Sequence, residues 1–263
     1  MERLKKIKLY LFDMDGTLYL GNRLYAFTKD LLQKIYDSGR KYLFVTNNSS
    51  KSVDDYIKKL ENMGIIAGYE DFVTSSQATA YYLTKHHRGD RLFVCGTQSL
   101  KKELAQAGFV IIEDPDEVDC IVMGFDTELI FQKLEIVSRL LCTREIPYIA
   151  TNGDYVCPTE FGSVPDCGSV CDMLFNATGK RPLVIGKPAT LIPQLAMEKT
   201  GYTSEETALV GDRLYTDIQC GLNAGILSVL VLSGETTQEM LAASEIKPDI
   251  VMADGSVIMD MLR

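Results

Sequence analysis

The chain has 263 residues, 46% hydrophobic and 24% charged, the balance of a globular protein with apolar material for a sizeable core, which excludes a disordered or fibrous chain. Its 27 Lys and Arg against 36 Asp and Glu leave a net charge of −9, a sign that repels a phosphate backbone and an anionic membrane surface and so excludes nucleic acid and membrane as partners. Seven cysteines, an odd number in a chain too long to need staples, point to free thiols in the cytoplasm.

The basic stretch Arg3–Lys8 leads into an apolar run that stops at Asp13, too short for the core of a signal peptide. Ile7–Phe12 reads instead as a buried strand running into Asp13-Met14-Asp15-Gly16-Thr17. Leu31, Leu32, Ile35 and Tyr36, before Gly39, have helical spacing. Lys41–Val45 is the next strand and ends in Thr46-Asn47-Asn48. Strands follow at Arg91–Cys95, Cys120–Met123 and Tyr148–Ala150, with a helix signalled by Leu129, Leu134, Val137, Leu140 and Leu141. The last four are Leu183–Ile185, Ala208–Val210 running into Gly211-Asp212, Leu227–Leu232 and Asp249–Met252. Strand–helix alternation predicts an α/β, Rossmann-like, doubly wound parallel sheet. The polar strand ends lie on either side of a stretch with its own strands and helices. This organisation predicts a discontinuous core of 1–78 and 182–263 with an inserted α/β domain at 79–181.

Ligands of open α/β sheets bind beyond the carboxyl ends of the strands, so the clusters after Phe12, Val45 and Val210 form one candidate site. Residues i and i+2 at a strand end project the same way. Asp13 and Asp15 therefore crowd two carboxylates where Gly16 lets the backbone turn, and such a pair needs a cation or a proton. Taken alone, Asp-x-Asp-Gly is also an ordinary turn closing a strand.

The motif does not stand alone. Asp13-Met14-Asp15-Gly16-Thr17, Thr46 in Val45-Thr46-Asn47-Asn48, Lys187 in Ile185-Gly186-Lys187-Pro188, and Asp212 with Asp217 in Gly211-Asp212-Arg213-Leu214-Tyr215-Thr216-Asp217 occur in order. Together they resemble the four motifs of the haloacid dehalogenase-like hydrolase superfamily over essentially the whole chain. More narrowly they look like the subgroup of the sugar phosphatase NagD and the 4-nitrophenyl phosphatases, which carries a large α/β cap of type C2 between the second and third motifs. The inserted segment falls there.

The resemblance implies a phosphoric monoester hydrolase that acts on small phosphorylated metabolites, such as sugar phosphates or nucleotides, through an aspartyl-phosphate, with Mg²⁺ as cofactor. Asp13 is then nucleophile and metal ligand. Asp15 is the acid and base, a substrate contact and, through its carbonyl, a ligand, while Asp212 completes the protein's metal set. Thr46, Asn47 and Lys187 bind the phosphoryl oxygens, and Asp217 orients a metal-bound water or Lys187, or else is a plain carboxylate at a helix N-terminus. Thr151, Asn152, Asp154, Gly168 and Ser169 sit where relatives close a cap loop over substrate, and are either specificity residues or a polar loop. A homo-oligomer built through the cap is compatible with this reading. The alternatives are a phosphotransferase or mutase with the same nucleophile, and a non-catalytic binder of phosphometabolites.

Cys157, Cys167 and Cys171 lack the spacing of a zinc site and lie far in sequence from His86 and His87, so no zinc is predicted. Ser49-Ser50 and Ser75-Ser76 have no nearby histidine base, and no dinucleotide or Walker-type glycine motif is present.

Overall fold

The computed structural model describes residues 2–159 and 161–262. Two compact units emerge: Met1–Thr46, Tyr56–Val73 and Lys187–Arg263 make the first, and Asn47–Asp55 with Thr74–Gly186 make the second.

The first unit is built on a six-stranded sheet ordered Ile250–Met252, Leu227–Val231, Thr207–Gly211, Leu9–Phe12, Lys41–Thr46 and Phe72–Thr74. The registers Phe12↔Val210, Phe12↔Phe44, Val210↔Val229 and Leu230↔Val251 are all parallel. Leu9, Tyr10, Leu11 and Phe12 are all buried, as are all five residues of Leu227–Val231. Strands covered on both faces read as continuous apolar runs, which is why they are visible in the sequence. The helix Thr28–Asp37 lays Leu31, Leu32 and Ile35 into the core. Tyr36, expected on that face, is exposed, because the stripe at i, i+1 and i+4 already closes the contact. The chain leaves the central strand to one side through Lys41–Thr46 and returns on the other through Thr207–Gly211, so the order reverses at Leu9–Phe12 and opens a crevice there.

The second unit carries a parallel sheet ordered Leu183–Val184, Tyr148–Ala150, Cys120–Met123, Arg91–Cys95 and Val110–Ile111. Phe93, Ile121, Met123 and Tyr148 pack against Val137, Leu140, Leu141, Cys171 and Leu174 from the helices Phe131–Thr143 and Cys167–Thr178. Between Asp154 and Asp166, where a polar loop is expected, Val156–Thr159 and Gly162–Pro165 pair as an antiparallel ribbon. Pro158, Pro165 and Gly162 disguise its alternation.

Beside the expected passages at 78/79 and 181/182, the chain passes between the two compact units at 46/47, 55/56, 73/74 and 186/187. Position 78 lies inside the helix Ser75–His86, whose start is set by a capping box: the Thr74 hydroxyl accepts from Gln77 N–H, and Gln77 Oε1 accepts from Thr74 N–H. Leu183 and Val184 pair with Ile149 and Ala150 and so belong to the second sheet. No helix among the described residues is long and apolar enough to cross a membrane.

Candidate active site

Register dictates the centre of the site. Asp13 N–H donates to Val210 O at 2.9 Å, so the first residue beyond one strand lies beside the end of the next, and Asp212 follows immediately. Gly211 is required between them, because a Cβ there would overlap the Asp217 carboxylate. Asp217 arrives on a π-helical turn, Leu214–Ile218, closed by Ile218 N–H donating to Arg213 O at 3.1 Å.

Lys187 enters as the chain returns to the first unit, its bond to Pro188 being cis. Its ammonium donates at 2.6 Å to Asp13 Oδ1 and at 2.6 Å to Asp217 Oδ1, and its side chain is 2% exposed. Asp217 Oδ2 in turn accepts from Arg213 N–H at 3.1 Å. Asp217 thus bridges the Lys187 ammonium and the Arg213 backbone N–H.

Asp212 is held from the other side. Its Oδ2 accepts from Glu235 N–H at 2.6 Å, and its backbone carbonyl accepts from Thr236 N–H at 3.2 Å. Gly16, at φ +84°, and Gly234 both lie so close that a Cβ on either would overlap the Asp212 carboxylate.

Carboxylate oxygens of Asp13, Asp212 and Asp217 lie within 4.8 Å of one another, with a single ammonium among them. Burial, together with the charges of Asp217 and Asp212, lifts the Asp13 carboxyl well above the carboxylate range despite the pull of Lys187. Burial and Asp217 push Asp212 up to about 7. Burial disfavours the Lys187 charge, but Asp13 and Asp217 outweigh it and hold the ammonium above the ordinary lysine range. The remaining oxygen of Asp212, Oδ1, is buried and has no hydrogen-bond partner. An orphaned carboxylate oxygen in a cluster of surplus negative charge fits a hard divalent cation with oxygen ligands.

Asp15 is placed differently. Its carboxylate is 51% exposed, and Lys59 Nζ approaches its Oδ2 to 3.9 Å while lying 4.0 Å over the Tyr19 ring. Thr46 is the buried last residue of the Lys41–Thr46 strand, two residues past the Phe12↔Phe44 pair. Asn47 begins the second unit, where its Nδ2 donates to Asp154 Oδ2 at 2.7 Å. Asn152 Nδ2 donates to Asp154 Oδ2 and Asp166 Oδ1, both at 3.0 Å, and Thr151 Oγ1 donates to Asn152 Oδ1 at 2.9 Å. Gly168 N–H donates to Asp154 O at 2.8 Å, and Ser169 Oγ donates to Tyr155 O at 2.5 Å. Thr151, Asn152, Asp154, Gly168 and Ser169 thus form one hydrogen-bonded assembly with Asn47 in the second unit.

Two features have no counterpart in the sequence reading. Lys59 lies on an amphipathic helix, Val53–Asn62, where one lysine among several polar residues carries no signal. Ser233-Gly234-Glu235-Thr236, which grips Asp212, follows the Leu227–Val231 strand and is a fourth polar strand end of the kind that marked the other three.

The chain is similar to several known proteins over most of its length. The family described as haloacid dehalogenase-like hydrolase matches residues 10–110, and a second profile, described as HAD-hydrolase-like, matches residues 184–255. An acid sugar phosphatase of Staphylococcus aureus (strain USA300) is 35% identical over 251 residues, 95% of this chain and 96% of that protein. The crystal structure of a 4-nitrophenylphosphatase from Thermotoga maritima superposes with a TM-score of 0.95 at 40% identity, covering 99% of each chain. A glycerol phosphate phosphatase from Mycobacterium tuberculosis, solved in complex with calcium, gives a TM-score of 0.88 at 30% identity, over 97% of this chain and 76% of that one.

Proposed function

The chain belongs to the haloacid dehalogenase-like hydrolases and is a phosphatase of the NagD and 4-nitrophenylphosphatase type; on that premise we propose that it hydrolyses small phosphate monoesters with Mg²⁺ through an aspartyl-phosphate on Asp13. The observation that carries this reading is the pairing of Lys187 with Asp13 beside the orphaned Asp212 Oδ1. Asp13, Asp212 and the backbone carbonyl of Asp15 would hold the ion, which when bound offsets the negative charge that a phosphomonoester presents to an anionic nucleophile.

Lys187 pins Oδ1 of Asp13 and so sets the direction in which the other carboxylate oxygen attacks phosphorus. The bond to the leaving alcohol breaks as Asp15 gives that oxygen its proton. Asp15 then takes a proton from the water that cleaves the aspartyl-phosphate, releasing phosphate and restoring Asp13. Its exposed position beside Lys59 suits a group that must exchange protons with solvent. Thr46 and the backbone N–H of Asn47 bind phosphoryl oxygens that Lys187 also attracts. Thr151, Asn152 and Asp154 hold Asn47 in place, and Gly168 and Ser169, in the first turn of the Cys167–Thr178 helix rather than in a loop, are the further candidates for setting specificity.

The substrate on this reading is a small phosphorylated metabolite met in the cytoplasm. The net charge of −9 speaks against nucleic acid and anionic membrane as partners, and the second unit is the surface for any homo-oligomer. Hydrolysis of 4-nitrophenyl phosphate with and without Mg²⁺, for wild type and Asp13→Asn, tests the proposal. Metal-dependent release that Asp13→Asn abolishes is expected; full activity in Asp13→Asn, or none in wild type with any divalent metal, overturns it.

A further inference from the structure

A second group of metal-ligating side chains lies wholly within the second unit. A ring nitrogen of His87, a carboxylate oxygen of Asp90 and Cys120 Sγ lie within 4.8 Å of one another. The fold brings them together by simple geometry. His87 ends the helix Ser75–His86, and Asp90 N–H donates to His87 O at 3.1 Å across a turn in which Gly89 has φ +93°. The strand Arg91–Cys95 then begins, paired in parallel with Cys120–Met123 in the register Leu92↔Cys120. Asp90 is two residues before Leu92, so on the strand period its side chain falls on the face that Cys120 occupies.

We propose that His87, Asp90 and Cys120 bind a thiophilic divalent cation, Zn²⁺ being the natural occupant, as a clip between the Ser75–His86 helix and the Cys120–Met123 strand.

The donor set is one imidazole nitrogen, one carboxylate oxygen and one thiolate sulfur, which suits zinc and is poor for Mg²⁺. At zinc–nitrogen and zinc–oxygen lengths of about 2.1 Å, a tetrahedron places N and O about 3.4 Å apart. His87 Nδ1 and Asp90 Oδ2 are 3.1 Å apart. Cys120 is buried, whereas the His87 and Asp90 side chains are 19% and 31% exposed, so the sulfur side of the site is dry and the other side is open to a water as fourth ligand. Besides the cluster, the thiol has a contact of 3.8 Å with Ile121 O. Burial and the neighbouring Asp90 and Asp119 charges push the Cys120 thiol up to about 12, so the metal-free thiol is protonated at neutral pH. Binding releases that proton. Without a cation, His87 Nδ1 and Asp90 share a hydrogen bond, and the turn stands ready-made.

The test uses the full chain, reduced, with Mg²⁺ in excess to occupy the oxygen-lined active site, titrated with Co²⁺. A thiolate–cobalt charge-transfer band in the near ultraviolet and strong visible bands of tetrahedral cobalt are expected at one equivalent, both removed by added Zn²⁺. Cys120→Ser should lose the charge-transfer band. His87→Gln and Asp90→Asn, at partly exposed positions that a folded chain tolerates, should bind Zn²⁺ at least about tenfold more weakly. Absence of a thiolate band in the wild type, a band retained by Cys120→Ser, or affinity unchanged in His87→Gln overturns the proposal. None of these readouts depends on phosphatase turnover, so failure here leaves the reading of Asp13 untouched.

Discussion

Lys187 and Asp217 meet at 2.6 Å with side chains 2% and 1% exposed, and the same ammonium holds Asp13 at 2.6 Å. One buried cation thus serves two carboxylates, with that of Asp212 close by. Removing the cation strands buried negative charge, so Lys187→Met should destabilise the metal-free protein by about 3–5 kcal/mol near neutral pH. The loss should shrink in acid as the carboxylates take up protons. Urea unfolding at two pH values checks both statements.

The opposite sign is expected for Asp217→Asn. This change removes one of the surplus negative charges and keeps an oxygen for Lys187. The metal-free protein should be as stable as wild type or more so, while turnover falls by at least about tenfold because Lys187 is no longer aimed by a charge. Stability and kcat moving in opposite directions is the signature to measure. A parallel loss of both would mean that Asp217 is structural.

The raised carboxyl of Asp212, at about 7, fixes a pH dependence. Because the folded state holds this proton more tightly than the unfolded chain, the stability it contributes is fully present below the ordinary carboxylate range. That contribution is lost as pH rises toward 7. Metal binding competes with the same proton, so Mg²⁺ affinity should fall as pH drops below about 7, by up to about tenfold per unit. Calorimetry in two buffers of different ionisation enthalpy should show a proton released on binding.

Gly234→Ala should act through Asp212 alone. Its Cβ would overlap the carboxylate that Glu235 N–H holds, forcing the oxygen away from the cluster. We expect Mg²⁺ affinity to fall by about tenfold or more and stability by about 1–3 kcal/mol, readable by titration and thermal unfolding.

Lys59→Met keeps the packing over Tyr19 and removes the charge beside Asp15. A several-fold rise in KM for a dianionic substrate, with a smaller change in kcat, is expected from the lost attraction. Steady-state rates at low and high salt separate this from a packing effect, since screening should narrow the difference.

Much of this architecture was legible because buried parallel strands are apolar on both faces and end abruptly in polar residues. Leu9–Phe12 and Thr207–Gly211 carry that signature, and the register between them places Asp13 next to Asp212. Short or edge elements carry less. Phe72–Thr74 and Val110–Ile111 are too short to show a period, and the ribbon through Val156 and Val164 is interrupted by proline and glycine. Proximity without sequence spacing was also invisible. His87 and Cys120 stand 33 positions apart and meet only because Leu92 pairs with Cys120, so a search for closely spaced cysteines and histidines passes over them. Lys59 escaped for a related reason, since a lysine on a helix face looks the same whether it meets solvent or a carboxylate.

The segmental make-up of the second unit bears on how substrate preference could be exchanged between relatives. Grafting residues 79–181 alone would leave Leu183–Val184 behind, taking the edge strand from its sheet, and would separate Asp154 from the Asn47 amide it accepts from. A transplant that keeps its own hydrogen bonds must carry Asn47–Asp55 together with Thr74–Gly186. Two pieces of gene, one cut at 46/47 and 55/56 and the other at 73/74 and 186/187, then behave as one heritable cassette. Mutations in either piece should be accepted only alongside a matching partner in the other.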